Sequence, residues 1–363
     1  MTKIAIFGVG LIGGSLALCF KDKPGIRVVG HSPNPDSVRK YVERGVVDEG
    51  TTSIAEAAEN ADFLFLCMPV GLMESYFEQL SQLRLKPGAI ITDVGSTKGD
   101  IVEAASRYSF GEAVFIGGHP MAGKERSGVE AATSKLFINA YYVLTPTPNT
   151  PEPAYQRLVS LLASTNARLV KLDARRHDEI VGAVSHLPHI VAALLVNLVE
   201  RHNRGEGLHE LLAAGGFRDT TRIASGDTTI WRDICLSNRE VILELLQEWV
   251  EDTERFIEVL RASDADALTE TFQTASDFRK KLPERRVGIP MTNYEFYVQV
   301  NDEPGTIGKL TTLLGEQNIN LRNVGIFEKP REGRGSLRMS FDHDADMQRA
   351  KKLLEQASYT VHY

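Results

Sequence analysis

The chain has 363 residues, with 41 lysines and arginines against 48 aspartates and glutamates, and its formal net charge at pH 7 is −7. A chain of this length is usually too long to fold around a single hydrophobic core, so we expect two or three domains. The acidic balance argues against a nucleic-acid-binding surface. The longest apolar runs, such as residues 190–196, fall short of the roughly 18 residues that a membrane span needs.

The N-terminal sequence and the cysteines indicate a reducing compartment. The chain begins MTKIAIFG, without the longer apolar core and the cleavage site of a secretory signal. Cys19, Cys67 and Cys235 are odd in number and far apart, and no C-x-x-C pair or histidine cluster has zinc spacing. We therefore expect a cytoplasmic protein with three buried thiols, no bound metal, and neither a nucleic acid nor a membrane as partner.

Short apolar or β-branched segments alternate with helical patterns through the first half of the chain. This alternation is typical of βαβ units, in which helices cover both faces of a parallel sheet. It predicts an α/β domain of Rossmann type over residues 1–173. The predicted strands are 3–9, 27–32, 62–69, 89–95 and 113–118, with 141–146 and 168–173 as further strands at the edge of the same sheet.

Residues 174–285 show helical periodicity without a convincing alternating strand, which predicts an all-α domain. Apolar residues are dense at 190–199 and 241–260, more than a small bundle needs for its own core. We expect part of this surface to pair with a second copy of the chain, so that the protein is a homodimer.

A charged, proline-bounded segment follows, and we place a linker at residues 286–293. Residues 294–363 then read as βαββαβ, which is the order of a small α+β ferredoxin-like module.

The sequence Gly8-Val9-Gly10-Leu11-Ile12-Gly13 fits the pattern G-x-G-x-x-G. The pattern alone is weak, but here it follows a short apolar strand and opens a helix inside a βαβ unit. It predicts a dinucleotide site in which the backbone and the helix N-terminus contact a pyrophosphate. The alternative is a glycine turn with a purely structural role.

The end of the second predicted strand lacks the acidic residue that normally contacts the ribose of NAD. The chain reads Gly30-His31-Ser32-Pro33 there, and Asp36 follows as a candidate helix cap. Ser32 could contact a ribose hydroxyl, whereas His31 or Arg39 could meet the 2′-phosphate of NADP. We expect NAD, with NADP left open, and we add Pro69, the last residue of the third predicted strand, to the cofactor contacts.

Two polar residues follow late strands of the predicted sheet, where ligands of open α/β sheets bind: Ser96 in DVGSTK and His119 in GGHPMAG. Either can receive or orient a hydroxyl proton beside a nicotinamide. The glycines around His119 allow close approach of the backbone to a ligand. The competing interpretation is a glycine turn with a structurally satisfied histidine.

The helical domain contributes two further candidate segments. In SHLPHIVAA, Ser185 and His189 have i, i+4 spacing, with His186 and Pro188 between them, so we expect a helix kinked at Pro188 and a polar pocket. In GGFRDTTRIASGDTTIWRD, Arg218, Asp219, Arg222 and Trp231 indicate a shaped loop that grips a carboxylate, the alternative being a solvated charged face.

Taken together and in this order, the motifs resemble those of the prephenate dehydrogenases of tyrosine biosynthesis, in the form with a C-terminal ACT domain. The resemblance covers essentially the whole chain. It rests on GVGLIGGS at 8–15, DVGSTK at 93–98, GGHPMAG at 117–123, SHLPHIVAA at 185–193, GGFRDTTRIA at 215–224 and WRD at 231–233.

The resemblance implies NAD-dependent oxidative decarboxylation of prephenate to 4-hydroxyphenylpyruvate. By position, His119 would hydrogen-bond the ring hydroxyl and promote its deprotonation, with Ser96 assisting. Arg222 would bind one of the two carboxylates of the substrate, and which of them it binds is left open. His189 and Ser185 would contact the pyruvyl side chain or the ring.

The remaining contacts that the resemblance implies lie around this centre. His186 is a further substrate contact, Arg218 and Asp219 would complete the pocket, from either subunit, and Trp231 would form a wall. Glu125 is a candidate for the rim.

The last module resembles an ACT domain, because residues 301–305 match its D-x-P-G turn. Asn301, Asp302 and Gly305 are its candidate regulatory residues, and tyrosine is the effector that the resemblance implies. The alternative is a structural or dimerising tail.

Three other functions stay open: an arogenate dehydrogenase, a 3-hydroxy acid dehydrogenase, and a non-catalytic sensor of dinucleotide and amino acid. The sequence shows no obvious acidic partner for the ammonium group of arogenate, which favours prephenate.

Overall fold

The structure is a computed structural model that describes residues 1–123, 128–203, 205, 207–282, 294–301, 303–331, 334–341 and 343–362. It divides into two compact units, Met1–Ile289 and Pro290–Tyr363. The predicted linker at 286–293 lies outside the described residues, and the domain boundary at 173/174 stays a prediction.

The first unit begins with an eight-stranded sheet in the order β3-β2-β1-β4-β5-β6-β7-β8. Its strands are β1 Thr2–Phe7, β2 Ile26–His31, β3 Glu49–Thr51, β4 Phe63–Leu66, β5 Ile90–Asp93, β6 Val114–Pro120, β7 Tyr141–Thr145 and β8 Arg168–Lys171. The helices between them are α1 Leu11–Phe20, α2 Pro35–Glu43, α3 Ile54–Ala58, α4 Met73–Ser81, α5 Gly99–Ser106 and α6 Glu152–Leu162.

Alternate residues of each strand enter opposite cores, which is why both faces of the sheet are buried. On β1, Ile4 and Ile6 pack with α1 and α6 in one core. Ala5 and Phe7 pack with α3, α4 and α5 in the other. The Rossmann-type fold that the sequence predicts is therefore confirmed.

The sheet is not parallel throughout. β7 pairs antiparallel to β6, while β8 returns parallel to β7 at the edge. The expectation of a parallel sheet is wrong for this pair, because the described residues between β6 and β7 hold only a short 3-10 turn, Val129–Ala131, and no crossover helix. The short strand β3 was not predicted.

The rest of the first unit is helical, as expected. Its helices are α7 Ala174–Val181, α8 Leu187–Asn203, α9 Leu208–Leu212, α10 Gly215–Thr221, α11 Thr228–Ser237, α12 Arg239–Arg261 and α13 Ala265–Lys281. A π turn, Gly182–His186, joins α7 to α8, so residues 174–203 form one helical stretch.

By length and composition this stretch could cross a membrane, and 22% of its most apolar window is buried within one chain; a single helix of this kind is weak evidence for a membrane span. The long central helices of soluble proteins meet the same criterion.

The second unit is the predicted βαββαβ module. Its elements are β9 Glu295–Asn301, α14 Thr306–Glu316, β10 Asn323–Arg331, β11 Arg334–Ser340, α15 Asp344–Gln356 and β12 Thr360–His362. The strand order β10-β11-β9-β12 is that of a ferredoxin-like fold, and the inward residues of β9, including Phe296 and Val298, form its core with both helices.

Candidate active site

The predicted dinucleotide loop lies between β1 and α1, at the carboxyl edge of the sheet. Gly8 has φ +90°, and a Cβ there would stand 2.8 Å from the carbonyl oxygen of Cys67. A Cβ on Gly13 would stand 2.2 Å from the carbonyl oxygen of Gly8, whereas a Cβ on Gly10 would meet nothing within 4 Å. The loop is therefore packed against protein at Gly8 and Gly13 and open at Gly10, as a pyrophosphate cradle requires.

The other residues predicted to contact the cofactor take different positions. Val9 is buried, Leu11 and Ile12 are half-buried at the start of α1, and Pro69 is exposed before a short 3-10 turn, Val70–Leu72.

The end of β2 corrects two of these predictions. His31 is only 1% exposed and packs against the rings of Phe7 and Tyr76, so in this conformation its side chain does not reach out to a 2′-phosphate. Burial lowers its pKa. The cap of α2 is Asn34 rather than Asp36, which pairs instead with Arg39. Ser32 is half-buried and accepts a hydrogen bond from the backbone N–H of Asn34 at 3.2 Å.

A cavity of about 260 Å³ lies between the carboxyl edge of the sheet and the helical part of the first unit. Five residues that the sequence singles out line it: Ser96, His119, Ser185, His186 and Trp231. The segment from Pro120 to Gly123 and the side chain of Ile234 complete the lining. The helices and the sheet therefore meet at residues that the sequence identifies as candidate catalytic or substrate-binding groups.

Ser96 lies in the loop between β5 and α5, which is fixed by the buried carboxylate of Asp93. Asp93 accepts hydrogen bonds from the backbone N–H groups of Gly95 at 2.7 Å and Gly118 at 3.0 Å, and it pairs with Lys98. Both charged side chains of this pair are fully buried. The carboxylate therefore ties the Ser96 loop to β6, the strand that carries His119.

His119 faces the cavity from the end of β6 and is 9% exposed. Its Nδ1 lies 2.8 Å from Nε2 of His177, whose Nδ1 lies 2.7 Å from Oδ1 of Asp178. Burial, followed by the neighbouring His177 and Lys98, holds the pKa of His119 well below its usual value. The imidazole is therefore neutral at pH 7 and can accept a proton.

The π turn changes the geometry expected around Pro188. The helical stretch continues through Pro188, which lies in the first turn of α8, and a single π turn stands just ahead of it. Ser185 and His186 line the cavity, whereas His189 stacks on Trp231 with 3.4 Å between ring centroids. The i, i+4 relation of Ser185 and His189 therefore does not place both residues in the cavity lining.

His186 is held from behind by Asn238, whose side-chain amide lies 3.1 Å from its Nδ1. Burial lowers the pKa of His186 to about 4. Gly226 packs against Trp231 so closely that a Cβ would stand 2.7 Å from Nε1 of the indole.

The structure does not bring every predicted residue to this cavity. Arg218 and Asp219 are exposed on α10, Arg222 is exposed just after it, and none of the three is among the lining residues. Glu125 falls outside the described residues. In the second unit, Asn301 and Gly305 line a separate cavity of about 190 Å³, whereas Asp302 falls outside the described residues.

Sequence reasoning missed four residues that support the site: Asp93, Lys98, His177 and Asp178. Asp93 and Lys98 are the first and last residues of the motif DVGSTK, so the motif could have identified them as site residues. His177 and Asp178 lie in ARRHDEIV, which has the charge pattern of a solvated helix face. Nothing local in that segment distinguishes them.

Comparison with known proteins gives consistent results. A family model for the nucleotide-binding domain of prephenate dehydrogenase matches residues 16–171, and one for its dimerization domain matches residues 173–274. The prephenate dehydrogenase of Bacillus subtilis (strain 168) is 38% identical over 365 residues, covering 99% of this chain and 98% of that protein.

Two solved structures are similar to more than three quarters of this chain. One is prephenate dehydrogenase from A. aeolicus in complex with hydroxyphenyl propionate and NAD+, with TM-score 0.73 and 32% identity over 78% of this chain and 99% of that one. The other is Synechocystis arogenate dehydrogenase, with TM-score 0.68 and 34% identity over 77% of this chain and 99% of that one.

Proposed function

The chain belongs to the prephenate dehydrogenase family, and we propose that it catalyses the NAD-dependent oxidative decarboxylation of prephenate to 4-hydroxyphenylpyruvate. The observation that supports this most directly is the neutral His119 in a cavity of about 260 Å³, at the same sheet edge as the glycine loop. A base beside a hydride acceptor is what oxidation of a ring alcohol requires.

The chain's own residues fit a dinucleotide. Gly8 and Gly13 hold the loop in contact with protein, and the open side of Gly10 and the N-terminus of α1 suit a pyrophosphate. When bound, NAD supplies the acceptor of the hydride.

His119 takes the proton of the ring hydroxyl on its Nε2, because its Nδ1 is engaged with His177. Ser96 hydrogen-bonds the same hydroxyl and orients it. Carbon dioxide leaves from the opposite ring carbon, and the proton held on His119 then returns to the phenolate oxygen of the aromatic product. Formation of the aromatic ring drives the reaction, so the chain chiefly positions the substrate and moves one proton.

The remaining contacts follow from the chemistry of prephenate, which carries two carboxylates. Ser185 and His186 line the cavity and bind the part of the substrate remote from the hydroxyl, while His189 supports Trp231 as a wall. Arg222 binds a substrate carboxylate, and Arg218 and Asp219 complete the pocket from a neighbouring subunit.

The direct test is NADH formation with prephenate, arogenate and a simple 3-hydroxy acid at equal concentration. We expect turnover with prephenate to exceed that with arogenate, since no carboxylate that could hold an ammonium group lines the described part of the cavity. The likeness to an arogenate dehydrogenase makes arogenate the second candidate. Turnover only with the 3-hydroxy acid would refute the proposal, and a parallel assay with NADP measures the cofactor preference.

The variant His119→Asn tests the base. Asparagine keeps a polar group of similar size but cannot accept the proton, so we expect kcat to fall by about 10²- to 10⁴-fold. Binding of NAD, followed by quenching of the two tryptophans, should stay within about twofold, since His119 is not among the residues assigned to the dinucleotide. Unchanged kcat would exclude His119 as the base.

We further propose a cytoplasmic homodimer whose second unit is an ACT domain that binds tyrosine as a feedback effector. The matching dimerization model supports the dimer. The ferredoxin-like order of the second unit and its cavity beside Asn301 and Gly305 support an amino-acid site.

A further inference from the structure

Two buried residues extend the hydrogen bonds of His119 into the protein. His177, the residue before Asp178 on α7, is fully buried and stands between His119 and the Asp178 carboxylate. Asp178 in turn accepts hydrogen bonds from the backbone N–H groups of Lys98 at 2.8 Å and Gly99 at 2.7 Å. These donors belong to the first turn of α5, next to the loop of Ser96.

The direction of each proton follows from this arrangement. A carboxylate that receives two backbone N–H groups is an acceptor at both oxygens, so Nδ1 of His177 must carry the proton of the His177–Asp178 bond. Nε2 of a neutral His177 is then an acceptor. Consequently Nδ1 of His119 donates to it, and Nε2 of His119 keeps its lone pair.

We propose that His177 and Asp178 are positioning residues that hold His119 in the tautomer whose Nε2 can accept the substrate proton. They also stabilise the imidazolium that forms when the proton arrives. This inference rests on the proposed function, in which His119 is the base. No proton passes to His177 or Asp178: one O–H bond of the substrate breaks, one N–H bond forms on His119, and the reverse returns the proton to the product oxygen.

The charges around His119 show why an anionic group is needed to offset the imidazolium. The titratable groups that surround it are Lys98 with its partner Asp93, His177 and Asp178 on α7, and His186 in the π turn. Lys98 opposes a second positive charge, and its own carboxylate partner is occupied. Asp178, acting through His177, is the anionic group connected to His119 by hydrogen bonds, so it offsets the imidazolium charge.

The first variant is Asp178→Asn. The asparagine amide carries no charge to offset the imidazolium, and its NH₂ group cannot accept one of the N–H donors that the carboxylate receives. We expect kcat to fall by about 10²- to 10⁴-fold with KM for prephenate and NAD within about threefold, as for a group that orients a catalytic histidine. The matched control is Asp173→Asn, which removes one negative charge at the N-cap of α7 and conserves the cap, and it should keep wild-type kcat.

His177 provides a second pair of variants, because Asp178 also caps α5 and its loss could unfold the site. Glutamine can accept from His119 and donate to Asp178, whereas leucine can do neither. We expect His177→Gln to keep kcat within about tenfold and His177→Leu to lose at least about 100-fold. Full kcat in His177→Leu would overturn the proposal.

The tautomer can be read without turnover from the ring ¹⁵N shifts of histidine-labelled protein at pH 7, with His119 assigned by its loss in His119→Asn. In the wild type we expect a protonated Nδ1 and an unprotonated Nε2, whereas His177→Leu, which removes the acceptor of Nδ1, should show a mixture of the two tautomers. A wild-type His119 with a protonated Nε2 would refute the inference. If His119→Asn instead keeps full kcat, the proposed base is wrong, while the shifts still decide whether the hydrogen-bond chain sets the tautomer.

Discussion

His186 shows how burial changes the chemistry of one residue. Its ring is 1% exposed and accepts a hydrogen bond from the amide of Asn238, and burial lowers its pKa to about 4. In the unfolded chain a histidine titrates near pH 6.5. Between these values the unfolded state binds more protons than the folded state, so stability is complete above pH 6.5 and falls as the pH drops toward 4.

We therefore predict a pH-dependent stability that the variant His186→Asn reduces. Asparagine retains an acceptor for Asn238 but does not titrate. The wild type should lose roughly 2 kcal/mol more of its free energy of unfolding than the variant between pH 7 and pH 5, from the shift of one pKa.

Urea titrations at the two pH values measure this difference, and His209→Asn, on an exposed helix, is the control. Equal losses in the wild type and in His186→Asn would show that His186 is not buried in its neutral form.

At the scale of elements, different glycines of the loop between β1 and α1 serve packing and ligand binding. Gly13 lets α1 approach β1, since a Cβ there would overlap the carbonyl oxygen of Gly8. Gly10 touches no protein atom at its Cβ position, so its lack of a side chain serves whatever binds outside the loop.

Alanine substitution at the two positions should therefore have different effects. Gly13→Ala should lower the stability of the protein itself by about 1–3 kcal/mol, because backbone must move to relieve the overlap. Gly10→Ala should leave the melting temperature within a degree or two and raise the Kd for NAD, by about tenfold or more.

Thermal denaturation without cofactor and fluorescence titration with NAD measure the two effects. Loss of stability in Gly10→Ala, with NAD affinity unchanged, would contradict the assignment of this loop.

The π turn is the second element-scale feature. It adds a residue to one turn of the α7–α8 stretch and brings consecutive residues, Ser185 and His186, into one cavity lining. Single π turns inside α-helices are frequent at functional sites. Because of the extra residue, i, i+4 spacing counted across such a turn no longer shows that two residues share a face of the helix.

At the scale of the whole molecule, the helical part of the first unit exposes large apolar residues in a single chain. Examples are Leu243 on α12 and Phe272 on α13, which are 55% and 65% exposed. Such an exposed set is typical of a surface that is covered in the assembly. It agrees with the dimerization model that matches this region.

We predict that the double variant Leu243→Glu with Phe272→Glu weakens dimerisation by about tenfold or more, since each charge would be buried against apolar surface. Sedimentation equilibrium measures the dissociation constant. Val42→Glu, at an exposed apolar position on α2, is the matched control and should not change the molecular mass. A double variant that stays as tightly dimeric as the wild type would place the interface elsewhere.

The second unit gives the last prediction. The solved structure from A. aeolicus covers 78% of this chain and 99% of its own chain. Removing residues 290–363 should leave kcat within about threefold and abolish inhibition by tyrosine, if the effector site lies in the second unit. Undiminished inhibition of the truncated protein would place tyrosine elsewhere, and a full-length protein that tyrosine does not inhibit would refute the effector.

Much of the fold could be predicted because it depends on local patterns. A continuous apolar run such as Ile4–Phe7 of β1 indicates a strand buried on both faces, and the glycines at 8, 10 and 13 indicate a tight turn before a helix. The antiparallel β7 could not be predicted, since the strand pattern of Tyr141–Thr145 is the same in either direction. The buried position of His31 was missed because residues distant in sequence enclose it.

The candidate site could likewise be predicted only in part. Ser96 and His119 could be identified because each follows a predicted strand, and parallel strands end at a common edge. Asn34 as the cap of α2 could have been chosen over Asp36, since helix caps favour both residue types and the proline at position 35 marks the first helical position.

The sequence by itself determined the order of the elements, the glycine loop and the strand ends where Ser96 and His119 lie, because these follow from local periodicity and backbone sterics. Only the tertiary structure decided which groups act on His119. Its contact with His177 joins residues 58 positions apart, and the contact of Lys98 with Asp178 joins residues 80 positions apart. Such hydrogen bonds exist only once α7 has packed against the edge of the sheet, so no local pattern encodes them.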